Sequence, residues 1–244
     1  MESRYPPRRG RAAWGGRDMA GRGRGLGIAA LVAGLLGVVL AGGAFLYGRD
    51  AYGTGTMPSQ SMAPSYRKGD RIFWEPVDGS EVRRGDVVLF SLPERYKSDG
   101  VFVQRVIGVG GDRVACCTTV SSEERVTLNG RPIKEPYVYG GDADGVHRPY
   151  DVKVPRGRLF LMGDQRSNAM DSRFFAAEQG GTVPLDAVQG RVTDDRAGPA
   201  LLGTALLVGG ALVLTGVGLG IGFLVVRRRR APAVPPAPWP VRPV

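Results

Sequence analysis

The sequence predicts an all-β domain, a partly closed barrel, held between two membrane-spanning helices. Three observations predict it. Two uncharged apolar stretches flank the middle of the chain, each long enough to cross a hydrocarbon core of about 30 Å. The middle carries short runs rich in β-branched and aromatic residues, bounded by Gly, Asp or Pro. No long stretch there shows the roughly 3.6-residue period of an amphipathic helix.

The first 25 residues are rich in Arg, Gly and Pro with few large apolar side chains, and they read as a disordered cytoplasmic arm. Residues 26–47 are apolar and uncharged, and Arg49 and Asp50 follow them. A cleavable signal peptide would carry an apolar region of only about 7–15 residues, so the length favours an uncleaved anchor. Residues 51–198 form the extracytoplasmic β-domain. A second apolar span, 199–226, stops at Arg227-Arg228-Arg229-Arg230, and the tail 227–244 is basic and Pro-rich, hence extended. Gly216, Gly218, Gly220 and Gly222 give small-xxx-small spacings that suit close packing, either against the first span or in an oligomer.

The net charge of +10 is not spread evenly. Seven arginines face two acids before Leu26, and five arginines face none after Val226, which leaves the middle neutral. Basic blocks abutting apolar spans follow the positive-inside pattern, with both termini cytoplasmic, and set nucleic-acid binding aside. The chain is expected in the cytoplasmic membrane, in contact with its lipids.

Within the β-domain, strands are expected at 86–91, 101–107, 125–128 and 158–162. Asn129-Gly130 is a strong two-residue hairpin turn. Gly108-Val-Gly-Gly111 reads as a glycine turn, because no helix follows it to hold a phosphate. Arg84-Gly85-Asp86 opens a strand and reads as a turn rather than an adhesion tripeptide. His147 reads as an exposed loop residue. Asp142 and Asp144 lack the downstream bidentate acid of a calcium loop, so neither a metal nor a cofactor is expected. Cys116 and Cys117 are adjacent, and either a vicinal disulfide or two packed thiols fits them.

One stretch organises the rest, residues 57–70. Ser61 sits there between a Pro-Ser-Gln turn and a Met-x-Pro bend, just before the apolar run Ile72, Phe73, Trp74. On chemistry alone the stretch reads equally as a Ser/Pro linker leaving an anchor or as a serine nucleophile near a membrane.

Pro58-Ser-Gln-Ser-Met-Ala-Pro64 resembles the nucleophile motif Pro-Ser-x-Ser-Met-x-Pro of the bacterial type I signal peptidase (leader peptidase) family. Further blocks resemble that family in its own order. They are Lys68-Gly-Asp-Arg-Ile72, Arg84-Gly-Asp-Val-Val-Leu-Phe90, and the segments 105–114, 128–137 and 162–173. The resemblance covers most of residues 57–192. It implies a membrane-anchored serine endopeptidase that removes signal peptides from secreted precursors. It implies Ser61 as nucleophile, with the Ser61 N–H and the Ser59 hydroxyl as oxyanion hole, and Asp164, Asp171 and Arg173 in support. The substrate would lie as an extended strand between residues 60–63 (Gln60, Met62, Ala63) and 101–104 (Val101, Phe102, Val103).

Two positions depart from the family pattern. The family's general base is a lysine held neutral by an apolar setting, and Gln104 stands in its place. The serine that supports that lysine is replaced by Ala169, and the Asn earlier in that block by Gln165. A glutamine amide can bond a serine but cannot take its proton. The resemblance therefore implies either a peptidase using Ser61, or an impaired homologue that binds signal peptides or modulates a paralogous signal peptidase.

Overall fold

A computed structural model describes residues 18–229. The arm expected over 1–25 lies outside the described residues up to 17, and the tail expected over 227–244 lies outside them from 230 on. In chain order the elements are α1 (Asp18–Ala51), β1 (Gly53–Thr56), β2 (Arg71–Glu75), β3 (Val87–Phe90), the single-turn α2 (Pro93–Tyr96), β4 (Phe102–Val109), β5 (Arg113–Val120) and β6 (Glu123–Leu128). There follow β7 (Arg131–Pro132), β8 (Tyr150–Lys153), β9 (Arg158–Met162), β10 (Val183–Pro184), β11 (Val188–Val192) and α3 (Ala197–Arg229). Two compact units result, one through Leu46 and from Ala200 on, the other Tyr47–Pro199.

The helical unit follows from composition. Gly25–Ala51 and Ala197–Arg228 are long and apolar enough to cross a membrane. Ile28, Leu31, Val32, Leu35, Leu201 and Leu207 point outward, a surface that suits hydrocarbon and not water. α1 starts at Asp18, inside the stretch expected to be unstructured. The helices meet backbone to backbone at glycines. A Cβ on Gly37 would stand 2.6 Å from the Gly209 carbonyl oxygen, and one on Gly216 would stand 2.7 Å from Gly34 N. Packing within the chain thus uses Gly209 and Gly216, whereas Gly218 and Gly220 have nothing within 4 Å of a Cβ.

In the β-unit, seven antiparallel strands run in the order β1-β2-β11-β3-β4-β9-β10, and four more in the order β7-β6-β5-β8. β3 shows why the larger sheet is buried on both faces. Val88 and Phe90 join Val106, Leu159 and Leu161 on one side, while Val87 and Leu89 join Met57, Met62, Ile72 and Val103 on the other. A third cluster (Ile107, Val114, Val126, Ala143, Phe160, Met162) carries the core into the smaller sheet. Each such side chain contributes about 1.5–3 kcal/mol on burial.

The glycine turn sits between β4 and β5, with Gly111 at φ +99°. The buried Asp112 ties it down, accepting from Val109 N at 2.9 Å, Arg84 Nε at 2.7 Å and Asn129 Nδ2 at 2.8 Å. Burial alone would raise the Asp112 carboxyl, but the bonds from Arg84, Asn129 and Val109 hold it below the usual carboxylate value. Arg84 is therefore a structural clamp. Asn129 and Gly130 both take positive φ, as the hairpin requires. The two cysteines are joined in a disulfide.

Candidate active site

The segment 57–70 closes on itself. Met57 N donates to Asp70 O and Gly69 N to Met57 O, each at 2.9 Å. Met57 and Met62 plug it into the core. Between these anchors Ser61 is half-buried and Ser59 exposed. Their hydroxyl oxygens are 2.9 Å apart, and Ser61 N–H donates to Ser59 Oγ at 3.3 Å. The two groups expected to face an oxyanion are thus bonded to each other. A rotamer change at the exposed Ser59 frees both.

A second block braces the segment from below. Gln165 N donates to the Ser61 carbonyl at 3.0 Å. Gly163 lies so close that a Cβ there would be 2.6 Å from that same carbonyl oxygen and 2.4 Å from Ala169 Cβ. No larger residue fits at position 163. The fully buried Asp164 accepts from Ser65 Oγ at 2.5 Å and takes two hydrogen bonds from Arg105, from Nε at 2.8 Å and from Nη2 at 2.6 Å. Desolvation works against the Arg105 charge, and the Asp164 carboxylate more than offsets it. The Arg105 guanidinium also lies 4.0 Å over the Tyr137 ring. Asp171, likewise fully buried, accepts from Gly163 N at 3.1 Å and pairs with Arg173 at 2.7 and 2.8 Å. The Ser61 segment and the 163–173 block are therefore one hydrogen-bonded unit.

Position 104 behaves differently. Gln104 lies in β4 opposite Val88 and is 3 % exposed. Its Nε2 donates to Met170 O at 2.8 Å, which fixes the orientation of the amide. Its Oε1 is buried with no hydrogen-bond partner among the described residues. The Tyr96 hydroxyl also donates to Met170 O, at 3.3 Å, and burial pushes that phenol up to about 12. Ala169, 4 % exposed, lies against Gly163. The Gln104 amide is thus enclosed with the Met170 carbonyl and the Tyr96 hydroxyl, neither of which accepts a proton near neutral pH. Ser61 has no side-chain partner but Ser59 among the described residues. Lys68, Lys97, Lys134 and Lys153 are all exposed, and so is His147, whose Nδ1 is 3.9 Å from Glu124 Oε2. Asp142 caps the turn at Asp144 and Gly145 through its Oδ1.

The residues expected to meet a peptide divide by burial. Gln60 and Val101 are exposed and Phe102 half-buried, while Met62, Ala63 and Val103 belong to the interior. Those three can offer a peptide only their backbone. β4 pairs with β3 from Phe102 onward, but with β9 only from Arg105 onward. Residues 102–104 consequently have one flank without a partner strand, the kind of edge an extended peptide adds to. Sequence reasoning missed Arg105, Ser65 and Gly163 as parts of the site. Arg105 was the visible one, since an arginine amid Val103, Val106 and Ile107 calls for a buried acid.

Residues 28–194 match the protein family described as "Signal peptidase, peptidase S26". Among curated relatives, the chain is 32% identical over 142 residues to a signal peptidase I of Leptolyngbya laminosa, covering 55% of this chain and 64% of that one. It is 35% identical over 122 residues to a signal peptidase I of Bacillus licheniformis, covering 46% and 61%. It is 30% identical over 191 residues to a probable signal peptidase I of Mycobacterium leprae, covering 55% and 65%. The chain thus spans less than two thirds of the length of each of these relatives. A crystal structure of a signal peptidase I from Enterococcus faecalis aligns at 23% identity and a TM-score of 0.35, covering 46% of this chain and 97% of that one.

Proposed function

The chain belongs to the signal peptidase family S26, and on that footing we propose that it receives the signal peptides of secreted precursors at the Ser59–Ser61 site, with Ser61 as the nucleophile of a serine endopeptidase. What carries the reading is the bracing of Ser61. Its carbonyl is held by Gln165 N at 3.0 Å and its hydroxyl lies 2.9 Å from a second serine hydroxyl, while Met62 of the same segment packs in one cluster with Val103 of β4. In the reaction Ser61 Oγ attacks the scissile carbonyl while its proton passes to water. Ser61 N–H and the Ser59 hydroxyl then face the charge that develops on the carbonyl oxygen. The C–N bond breaks with the amine leaving protonated, and water hydrolyses the acyl-serine ester. The peptide adds as a strand along residues 102–104, so that its main chain supplies affinity.

One observation favours a second reading, capture of the peptide with little or no cleavage. By the family resemblance Gln104 stands at the base position, and its amide nitrogen donates to Met170 O at 2.8 Å. Loss of a general base lowers the rate by about 10²–10⁴, and by roughly 10⁶ where base and nucleophile act as a unit. The basic flanks and two apolar spans support a two-span topology in the cytoplasmic membrane, with the β-domain outside and both termini inside. Membrane lipids and a paralogous signal peptidase complete the proposed partners.

The test is incubation of the full chain in detergent with a secretory precursor, comparing wild type with Ser61→Ala. Slow cleavage that disappears in Ser61→Ala establishes the peptidase. Binding of the precursor without any Ser61-dependent product establishes capture. Neither binding nor cleavage refutes both readings.

A further inference from the structure

The disulfide lies apart from Ser61, and the peptidase reading makes no use of it. Cys116 and Cys117 sit in the middle of β5, where the pairing with β6 shifts register between Ala115 and Thr118. Neither cysteine therefore has a partner on that strand, although Cys116 still pairs with Tyr150 on β8. Both side chains are half-buried and line an open cavity of about 200 Å³ with Glu124, Asp144, His147 and Arg148. The pair thus borders a space open to solvent.

The far wall of the cavity leads to the site. Cys117 packs on the apolar cluster that contains Ala143. The Ala143 carbonyl accepts from Arg166 Nη1, and the Asp144 carbonyl accepts from Arg173 Nη1. Arg166 is 1 % exposed, and its Nε donates to Gly163 O at 3.0 Å. Arg173 holds Asp171, which in turn accepts from Gly163 N. Two successive carbonyls beside the cavity thus hold the two arginines that fix Gly163 beneath Ser61. Asp144 itself is buried; its Oδ2 accepts from Arg148 N at 2.7 Å, while its Oδ1 has no hydrogen bond among the described residues and stands 3.6 Å from Arg173 Nη1.

We propose that Cys116–Cys117 is a thiol–disulfide exchange site for an external dithiol, and that its reduction loosens the 142–149 loop and, through Arg166 and Arg173, the floor beneath Ser61. A thiolate of the dithiol attacks one cysteine sulfur, forming a mixed disulfide. The electron pair of the broken S–S bond leaves on the other cysteine, which takes a proton from water. The second thiol of the reductant then displaces the first cysteine as a thiol and closes its own disulfide. The protein gains two electrons and two protons, and the dithiol is oxidised to its disulfide. The exchange chemistry does not rest on the peptidase reading; only the consequence for Ser61 does.

The experiment exposes the folded full chain in detergent to dithiothreitol, quenches in acid, and alkylates before peptide mass analysis. Amide hydrogen exchange is followed in parallel over 140–149 and 163–173. The expected result is alkylation of both cysteines without denaturant, together with roughly tenfold faster exchange in both segments. Cys116→Ser/Cys117→Ser should show the faster exchange without dithiothreitol and no response to it. Thiols that appear only in denaturant overturn the exchange site. Reduction that leaves 163–173 as protected as before overturns the link to Ser61. A response of the double variant to dithiothreitol equal to that of the wild type overturns both. None of these readouts uses cleavage, so failure of the peptidase reading leaves the test intact.

Discussion

The two halves of the site have opposite characters. The half around Ser61 is polar, partly exposed and bonded at every turn, through Gln165 N, Gly163, Asp164 and the Ser59 hydroxyl. The half around Gln104 is buried, and it ends in an amide oxygen that bonds to nothing among the described residues. Desolvation of that kind would drive a lysine toward its neutral, proton-accepting form. On the reading proposed above, position 104 offers a setting that would tune a base and carries an amide that cannot be tuned.

The strongest way to break this contrast is to return chemistry to the buried half. Gln104→Lys/Ala169→Ser should raise Ser61-dependent precursor cleavage by about 10²–10⁴. The gain should grow with pH, because the buried amine must lose its proton first, and its midpoint should fall below the roughly 10.4 of a free lysine. A rate–pH profile measured with and without Ser61→Ala checks both points. A double variant that binds precursor yet stays inert would mean that more than the base has been lost.

The polar half can be broken from beneath. Arg105→Ala leaves the fully buried Asp164 carboxylate without its partner, a change that destabilises by about 3–5 kcal/mol. Urea unfolding of the full chain in detergent should show a lower midpoint. Precursor binding should weaken as well, because Asp164 also holds Ser65 and its neighbour Gln165 holds the Ser61 carbonyl.

A finer cut separates the two serines. In the Gln104→Lys/Ala169→Ser background, Ser59→Ala removes one oxyanion donor and should lower cleavage by about 10²–10³ while leaving precursor affinity nearly unchanged. Equal losses in affinity and rate would show that Ser59 holds the segment together instead of facing the oxyanion.

How much of this was legible in the sequence depended on the range of the interaction. β3, β4 and β9 announce themselves as short β-branched and aromatic runs, and Asn129-Gly130 names its own turn. Position 104 was readable only because a motif fixed the spacing around it. β1, Gly53-Thr-Gly-Thr56, has no apolar side chain to signal a strand, and it exists because Phe73 and Trp74 of β2 lie opposite it. The Arg105–Asp164 pair joins residues far apart in sequence, so no local pattern encodes it. The helix glycines teach the same lesson. The spacing of 216 and 220 was visible, but the contact uses 209 and 216, which only the facing helix determines.

The smallest effect tests the buried half most sharply. Gln104→Leu removes an amide whose oxygen is already unbonded, and it fills the slot with a side chain of similar length. Met170 O loses one donor but keeps the Tyr96 hydroxyl at 3.3 Å. A polar group that is buried and only half satisfied contributes little net stability, so the substitution should be neutral or stabilising, within about 1 kcal/mol. Urea unfolding checks the sign. Precursor affinity should hold too, because residues 102–104 meet a peptide through their backbone. A loss well beyond that range, or a collapse of binding, would mean that Gln104 Oε1 has a partner in the working protein. The amide would then be a functional group in its own right rather than the occupant of an empty base position.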